Sequence, residues 1–244
     1  MKIAIMGGTG LIGSQVVTIL NASGHEAVPH SQSTGVDLLS GRGLPAALKG
    51  ADVVVDVTNS PTFDEASLAF FQTTSDNLRA AAAEAGVGHA VLLSIVGCDL
   101  VPGLVYYRGK VLQEDVLKSG PTPYSIVRAT QFFEFIEPAL SVSADENTVR
   151  LSATLIQPIA AADVAQAVAD VSAGAPLRAT RDVAGPEVFN LDELGRITLA
   201  ARGDHRAGVT DDSAGVFAAV SGDALIAKDG AVIAATTYGE WLAR

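Results

Sequence analysis

A short apolar run, Lys2-Ile3-Ala4-Ile5-Met6, passes directly into Gly7-Gly8-Thr9-Gly10-Leu11-Ile12-Gly13, and an amphipathic stretch follows. Glycines spaced G-x-x-G-x-x-G between a strand and a helix leave few folds open. Gly7 permits the tight turn, Gly10 lets the backbone approach a ligand, and Gly13 lets the helix pack on the strand. The helix start then offers free N–H groups and the positive end of its dipole to an anion. The arrangement suits a dinucleotide pyrophosphate. A glycine-rich turn in some other α/β protein is the plainer alternative.

The rest of the chain alternates β-rich runs with helical stretches, as in a parallel sheet wound on both faces. Strands are predicted at Lys2–Met6, His25–His30, Gly35–Leu38, Asp52–Val57, His89–Ser94 and Pro123–Arg128. Helices are predicted near Leu11–Ala22, Gly43–Leu48, Glu65–Ala85 and Tyr107–Lys118. Beyond Arg128 the rhythm changes. Thr148–Pro158 reads as strand and Ile159–Ala173 as helix, with Asp163 and Gln166 in a capping-box pattern that makes Asp163 structural. A strand near Arg181–Phe189 leads to a helix at Leu191–Ala201, and Tyr238–Leu242 reads as a helical turn. Residues 203–235 give no pattern beyond surface loops and short elements.

The 244 residues suit one large domain, or a domain with a small appended lobe, and 48% hydrophobic content supplies a sizeable core. A net charge of −11 opposes nucleic acid as a partner, because phosphates would be repelled. No apolar run reaches the ~18 residues of a membrane span. The first strand lacks the zones of a signal peptide. Cys98 is alone, so no intrachain disulfide is expected, and His25, His30, His89 and His205 form no metal-ligand spacing. No membrane and a cytoplasmic location are the expectations; the oligomeric state stays open.

Several further segments fall in the order of a known family: Gly35-Val36-Asp37-Leu38, Asp56-Val57-Thr58-Asn59, Leu93-Ser94-Ile95-Val96-Gly97, Tyr106-Tyr107-Arg108-Gly109-Lys110, Ile126-Val127-Arg128-Ala129-Thr130 and Gln157-Pro158-Ile159. With the glycine corner, they make the chain resemble the atypical short-chain dehydrogenases/reductases of the NmrA-like NAD(P)-binding type. The resemblance covers roughly Met1 to Asp170 and weakens after that. It implies a Rossmann-type α/β fold, a doubly wound parallel sheet with a small C-terminal substrate lobe. A single NAD(P)-binding domain would span 1–244, with its core at about 1–170 and the lobe at about 171–244.

The resemblance also assigns site residues. Gly7, Thr9, Gly10, Leu11, Ile12 and Gly13 would hold the pyrophosphate. Asp37 and Leu38 would border adenine, although a turn role for Asp37 is as plain. Val57, Thr58 and Asn59 would lie beside the ribose and pyrophosphate. An NAD site usually carries an acid at the end of the second strand. Here that segment reads His30-Ser31-Gln32-Ser33-Thr34, whose donors suit a 2′-phosphate, so NADP is favoured and NAD stays possible. No arginine stands in that segment, and Arg42 is the nearest candidate. Thr130, with Phe132, Phe133 and Phe135 as an apolar substrate wall or as core, would lie at the nicotinamide end. Glu134 and Glu137 are expected in solvent, and Gln157-Pro158-Ile159 near the cofactor.

The chemistry implied is centred on Tyr106-x-x-x-Lys110, one helical turn apart. A lysine ammonium beside a phenol would lower its pKa and hydrogen-bond the nicotinamide ribose, while Tyr106 exchanges the proton. Ser94 would orient a substrate oxygen, against the alternative of a strand-end hydrogen bond. Tyr107 is a second available phenol. The expected function is an NAD(P)H-dependent oxidoreductase acting on a small, largely apolar carbonyl or conjugated substrate. A non-catalytic NAD(P)-binding redox sensor is the alternative. Sugar-nucleotide epimerisation shares the core, but the C-terminal part is short for it.

Overall fold

The computed structural model describes residues 1–218 and 220–244; the expectation for 203–235 includes residue 219, which lies outside them. The chain divides into two compact units, Met1–Arg128 with Val164–Arg181, and Ala129–Asp163 with Asp182–Arg244.

The first unit runs β1 (Lys2–Met6), α1 (Leu11–Ala22), β2 (Glu26–His30), α2 (Leu44–Leu48), β3 (Val53–Asp56), α3 (Ala66–Glu84), β4 (His89–Ile95), α4 (Val105–Lys118) and β5 (Tyr124–Ala129). These strands lie in the order β5-β4-β3-β1-β2. β1 pairs in parallel with β2 and β3, and β3 with β4, so that Ile3 faces Ala27 and Val53 while Val55 faces Val91. Consecutive residues Ile3, Ala4, Ile5 and Met6 are all buried, as a parallel strand covered on both faces requires. On one face Ala4, Met6, Val54 and Ala90 pack against Leu44 and Leu48 of α2 and Leu78 and Ala82 of α3. Right-handed crossovers put α1 on the other face, where it buries Ile12, Val16 and Leu20. The strand order reverses between β1 and β3, and ligands of such sheets bind beyond the strand ends at this point. At the β5 edge Ile126 N donates to Ala179 O at 3.1 Å, just before the chain enters its eighth strand.

The remaining elements are α5 (Phe133–Val142), β6 (Thr148–Leu151), β7 (Leu155–Ile156), α6 (Ala161–Ala173, which leads into the first unit), β8 (Thr180–Ala184), β9 (Phe189–Asn190), α7 (Leu191–Ala201), β10 (Ala207–Thr210), β11 (Val232–Ile233) and α8 (Tyr238–Leu242). In the second unit β6 pairs in parallel with β10, β8 with β11, and β7 antiparallel with β9. Phe133 is fully buried, with its ring 5.0 Å from Tyr238 and 5.7 Å from Trp241. It is core, and the substrate-wall expectation for it is corrected. Phe135 lies 6.2 Å from Phe217, and Phe132 stands as the N-cap residue of α5. Glu134 is not left to solvent: it accepts from Trp241 Nε1 at 3.2 Å and from Ala161 N at 3.1 Å. Glu137 pairs with Arg202 at 2.7 Å on the surface. The Gln157 amide is spent on Gly185 O and Ala227 N. Thr130 is buried here, its N–H donating to Val183 O at 3.1 Å and its Oγ1 without a hydrogen-bond partner.

Four element expectations need correction: the strand near Arg181–Phe189 ends at Ala184, and Phe189 belongs to the separate β9, while three others differ as follows. Gly35–Leu38 is not a strand. Thr34 Oγ1 accepts from Ser31 N at 2.8 Å and donates to Ser31 O at 3.0 Å, curling Gln32–Thr34 into a 3-10 turn. Gly35 leaves that turn at φ 91°, and only Asp37 makes a bridge, to Arg42. The long strand over 148–158 is split at Ser152–Thr154, where the two hydroxyls bond each other at 2.8 Å and Thr154 turns to Phe217 O. Helix α6 begins at Ala161, so Asp163 sits in its first turn and not at the N-cap.

Candidate functional site

The corner after β1 is built from close backbone packing. Gly7 has φ 79°, and its N–H donates to His30 O at 2.9 Å. A Cβ on Gly13 would stand 2.2 Å from Gly7 O, so any side chain there displaces the turn. Gly8 is equally constrained, since its Cβ would fall 2.6 Å from Pro29 Cα. A Cβ on Gly10 would meet only Gly7 O, at 3.3 Å, so its outer side is open. Gly10 is the N-cap of α1 and no side chain caps the helix. The first-turn amides of Leu11, Ile12 and Gly13 therefore lack an intrahelical acceptor, and the dipole adds positive potential there. Thr9, Gly10 and Leu11 are exposed around them. This is a cradle whose donors and shape fit a diphosphate.

At the end of β2 the expected donors are largely turned on one another. Ser31 Oγ and Ser33 Oγ are 2.8 Å apart, while Gln32 and Ser33 are exposed. His30 is half-buried, its Nε2 has no hydrogen-bond partner, and burial with the Lys2 charge holds its pKa below the usual histidine value. The Asp37 carboxylate accepts from Ser40 Oγ at 2.6 Å and Leu39 N at 3.1 Å, which is a turn role. Those bonds, Ser40 first, keep its pKa below the ordinary aspartate value. Leu38 is buried beneath this turn, and Asn77 of α3 donates to the carbonyls of Leu38 and Leu39.

The end of β3 is anchored by Asp56, which is buried. It accepts from Thr58 N at 2.9 Å, Thr58 Oγ1 at 2.6 Å and, from α4, Gln113 Nε2 at 2.8 Å. Val57 continues the ladder through Met6 O at 3.0 Å, so Val57 and Thr58 lie beside the glycine corner. A Cβ on Gly7 would be 3.0 Å from Val57 O.

Tyr106 and Lys110 are not arranged as the sequence led us to expect. Lys110 is buried, and its ammonium donates to Leu93 O at 2.8 Å and to Gln113 Oε1. Tyr106 instead donates to Asn59 Oδ1, with its ring 5.0 Å from Phe63 and 5.5 Å from Phe71. Burial pushes the Tyr106 phenol well above its ordinary pKa, opposite to the expected lowering. Burial also pulls Lys110 down to about 8, despite the opposing charge of Asp56. Gly109 makes this packing possible, because a Cβ there would stand 2.6 Å from the Phe71 ring. Phe71 fills that space and lies 5.1 Å beneath the Lys110 ammonium. Tyr107 is buried.

Ser94 is corrected in the same way. It is buried, and its Oγ donates to Glu114 Oε1 at 2.6 Å, with Cys98 Sγ at 3.9 Å. Glu114 receives both Nε and Nη2 of Arg128 at 2.8 Å, and Arg128 reaches Asp99 at 3.0 Å. Burial alone would raise the Glu114 pKa, but the Arg128 and Ser94 hydrogen bonds outweigh it and hold the group near about 2. Cys98, beside this carboxylate, is pushed up to about 11 by burial first and by Glu114 second. Sequence reasoning missed the Asp56–Gln113 and Glu114–Arg128 partnerships. The signal was available in α4, where Lys110, Gln113 and Glu114 follow at helical spacing and therefore share an inward face.

A strand–glycine turn–helix corner at the reversal point of a parallel sheet defines a dinucleotide-binding protein of Rossmann type. The family model described as NAD(P)H-binding matches residues 7–173, and the chain belongs to that family. Among solved structures it is similar to dTDP-4-dehydrorhamnose reductase of Bacillus anthracis in complex with NADP. That likeness has a TM-score of 0.71 at 15% identity and covers 88% of this chain and 86% of the other. UDP-N-acetylglucosamine 4-epimerase of Bacillus cereus gives 0.67 at 18% identity, over 86% and 84%. The Citrobacter sp. triphenylmethane reductase complexed with NADP(H) gives 0.66 at 17% identity, over 86% and 79%. Curated proteins give no match. Among the described residues no helix is long and apolar enough to cross a membrane.

Proposed function

We propose that the chain is an NAD(P)H-dependent oxidoreductase acting on a small, largely apolar carbonyl or conjugated compound, with NADPH as the cofactor. The observation that carries this reading is the uncapped start of α1 over the Gly7–Gly13 cradle. When bound, the nicotinamide supplies the hydride. The Leu11, Ile12 and Gly13 amides take the diphosphate, with Thr9 and Gly10 at its border. Val57, Thr58 and Asn59 flank the ribose side, held by Asp56, while Asp37 and Leu38 border the adenine. His30, Ser31, Gln32 and Ser33 receive the 2′-phosphate, since that segment has no carboxylate of its own. The Asp37 carboxylate close by is the feature that favours NADH instead. Thr130 is assigned to the nicotinamide end.

Tyr106 is the proton donor in this reading. Burial makes this phenol a weaker acid, so the role rests on its place at the start of α4 beside Asn59, at the end of β3, and not on its pKa. Lys110 acts by position: its ammonium holds Leu93 O and, through Gln113, joins Asp56 at the end of β3. The likeness to a reductase named for triphenylmethane supports a conjugated substrate, and the likeness to an epimerase keeps nucleotide sugars as the competing class. A second reading, a cofactor-binding redox sensor without turnover, is favoured by Ser94 and Lys110 being held by Glu114 and Gln113.

The test is titration with NADPH and NADH by nucleotide fluorescence, followed by turnover over a carbonyl, quinone and nucleotide-sugar panel. The oxidoreductase reading expects NADPH to bind more tightly than NADH, and Tyr106→Phe to lower kcat by about 100-fold or more, in the range of general acid catalysis. Binding without any turnover supports the sensor. No binding of either nucleotide removes both.

A further inference from the structure

Between α3, α4 and the strands β3 and β4 lies a crevice of about 40 Å³, walled mainly by apolar side chains such as Val54, Leu78, Ala82 and Leu117. Asp56, Ser75, Arg79 and Gln113 are polar members of its lining. Ser75 is 6% exposed, and its Oγ has no hydrogen-bond partner; neither has the buried Nε of Arg79. These two residues stand four apart on α3 and so share one face of the helix. The neighbouring Thr74 satisfies its hydroxyl by bonding back to Phe70 O at 2.8 Å. Ser75 makes no such bond. Gly120 leaves room for the Arg79 stem, since a Cβ there would stand 3.0 Å from Arg79 Cγ.

Two buried donors lining one crevice call for a ligand, because an unmet buried polar group is costly. The lining limits what that ligand is. An anion is opposed by the Asp56 carboxylate, and a cation by the Arg79 guanidinium. The molecule must be small, neutral, and able both to accept and to donate. Asp56 has accepted three hydrogen bonds, from Thr58 N, Thr58 Oγ1 and Gln113 Nε2. A carboxylate offers about four such sites, so one remains. A single water needs roughly 10–15 Å³, which leaves room here for more than one.

We propose that this crevice is a built hydration site, in which ordered water accepts from Arg79 Nε, bonds Ser75 Oγ and donates to Asp56. The water continues the chain Lys110–Gln113–Asp56 into the α3 side, so the group that anchors the end of β3 is tied to two helices instead of one.

The test is Ser75→Ala in the full-length protein, read by thermal unfolding and by high-resolution crystallography of the parent. A hydrated site loses a hydrogen bond, and Tm falls by about 2–4 °C for a chain of this size. A dry site would be relieved of an unmet hydroxyl, so an unchanged or raised Tm overturns the proposal. In the parent crystal, density is expected about 2.7–3.2 Å from both Ser75 Oγ and Arg79 Nε. A Ser75 hydroxyl rotated back onto Phe71 O, or a crevice without density, overturns it as well.

Discussion

The corner after β1 and the interior of α4 treat polar groups in opposite ways. At the corner, backbone amides are left without acceptors and the surrounding residues are exposed. Inside α4, Lys110, Gln113 and Glu114 are buried and each is matched to partners within the first unit. Unmet donors at an open edge are a binding device, whereas met donors in a closed interior are architecture. The family pattern Tyr106-x-x-x-Lys110 runs through the second region, so its presence in the sequence does not by itself place a reactive lysine at the ligand.

The largest effect should come from breaking the corner. Gly13→Val drives a side chain into Gly7 O, and NADPH affinity should fall at least ~100-fold, about 2.8 kcal/mol, in a fluorescence titration. Breaking the interior should instead cost stability. Glu114→Gln leaves the half-buried Arg128 with only the exposed Asp99 carboxylate in place of its bidentate partner, a loss of about 3 kcal/mol by denaturant unfolding. The same group gives a pH signature. Its folded pKa of about 2 lies below the ordinary 4.5, so its stabilisation is whole above pH 4.5 and is lost as pH falls toward 2. Glu114→Gln should flatten that part of the acid limb.

Lys110 sharpens the comparison from the alkaline side. With a folded pKa of about 8 against 10.5, the folded state binds fewer protons than the unfolded state between these values. Stability should therefore rise with pH across that window, by up to about 1.4 kcal/mol per pH unit, and Lys110→Met should abolish the rise. If the lysine is chiefly architectural, its NADPH dissociation constant should stay within about threefold of the parent (~0.7 kcal/mol). A tenfold loss would return Lys110 to the ribose. The smallest effect is expected of Ser94→Ala, with Tm lowered by about 2–4 °C through the lost Glu114 bond and kcat within about twofold.

What was legible in the sequence follows the same division. Glycine spacing reports backbone geometry directly, and Gly7 and Gly13 sit where their freedom and small size are required. The parallel strands β1, β3 and β4 announced themselves as apolar runs of the right length. Gly35–Leu38 misled because two buried apolar residues, Val36 and Leu38, look like a strand, while the Ser31–Thr34 hydroxyls curl the backbone just before them. Tyr106 and Lys110 misled for a different reason. Helical spacing puts two residues on one face but does not say which partner each side chain finds, and Asn59, Gln113 and Phe71 come from distant or unremarked positions. The ion pair of Glu114 and Arg128 joins a helix to a strand fourteen residues on, and no local pattern announces it.

The most direct measurement is a crystal structure of the protein soaked with NADP+. Diphosphate oxygens should sit about 2.7–3.2 Å from the amide nitrogens at the start of α1, among Leu11, Ile12 and Gly13. A nucleotide bound elsewhere, or a corner closed by its own side chains, would contradict the account.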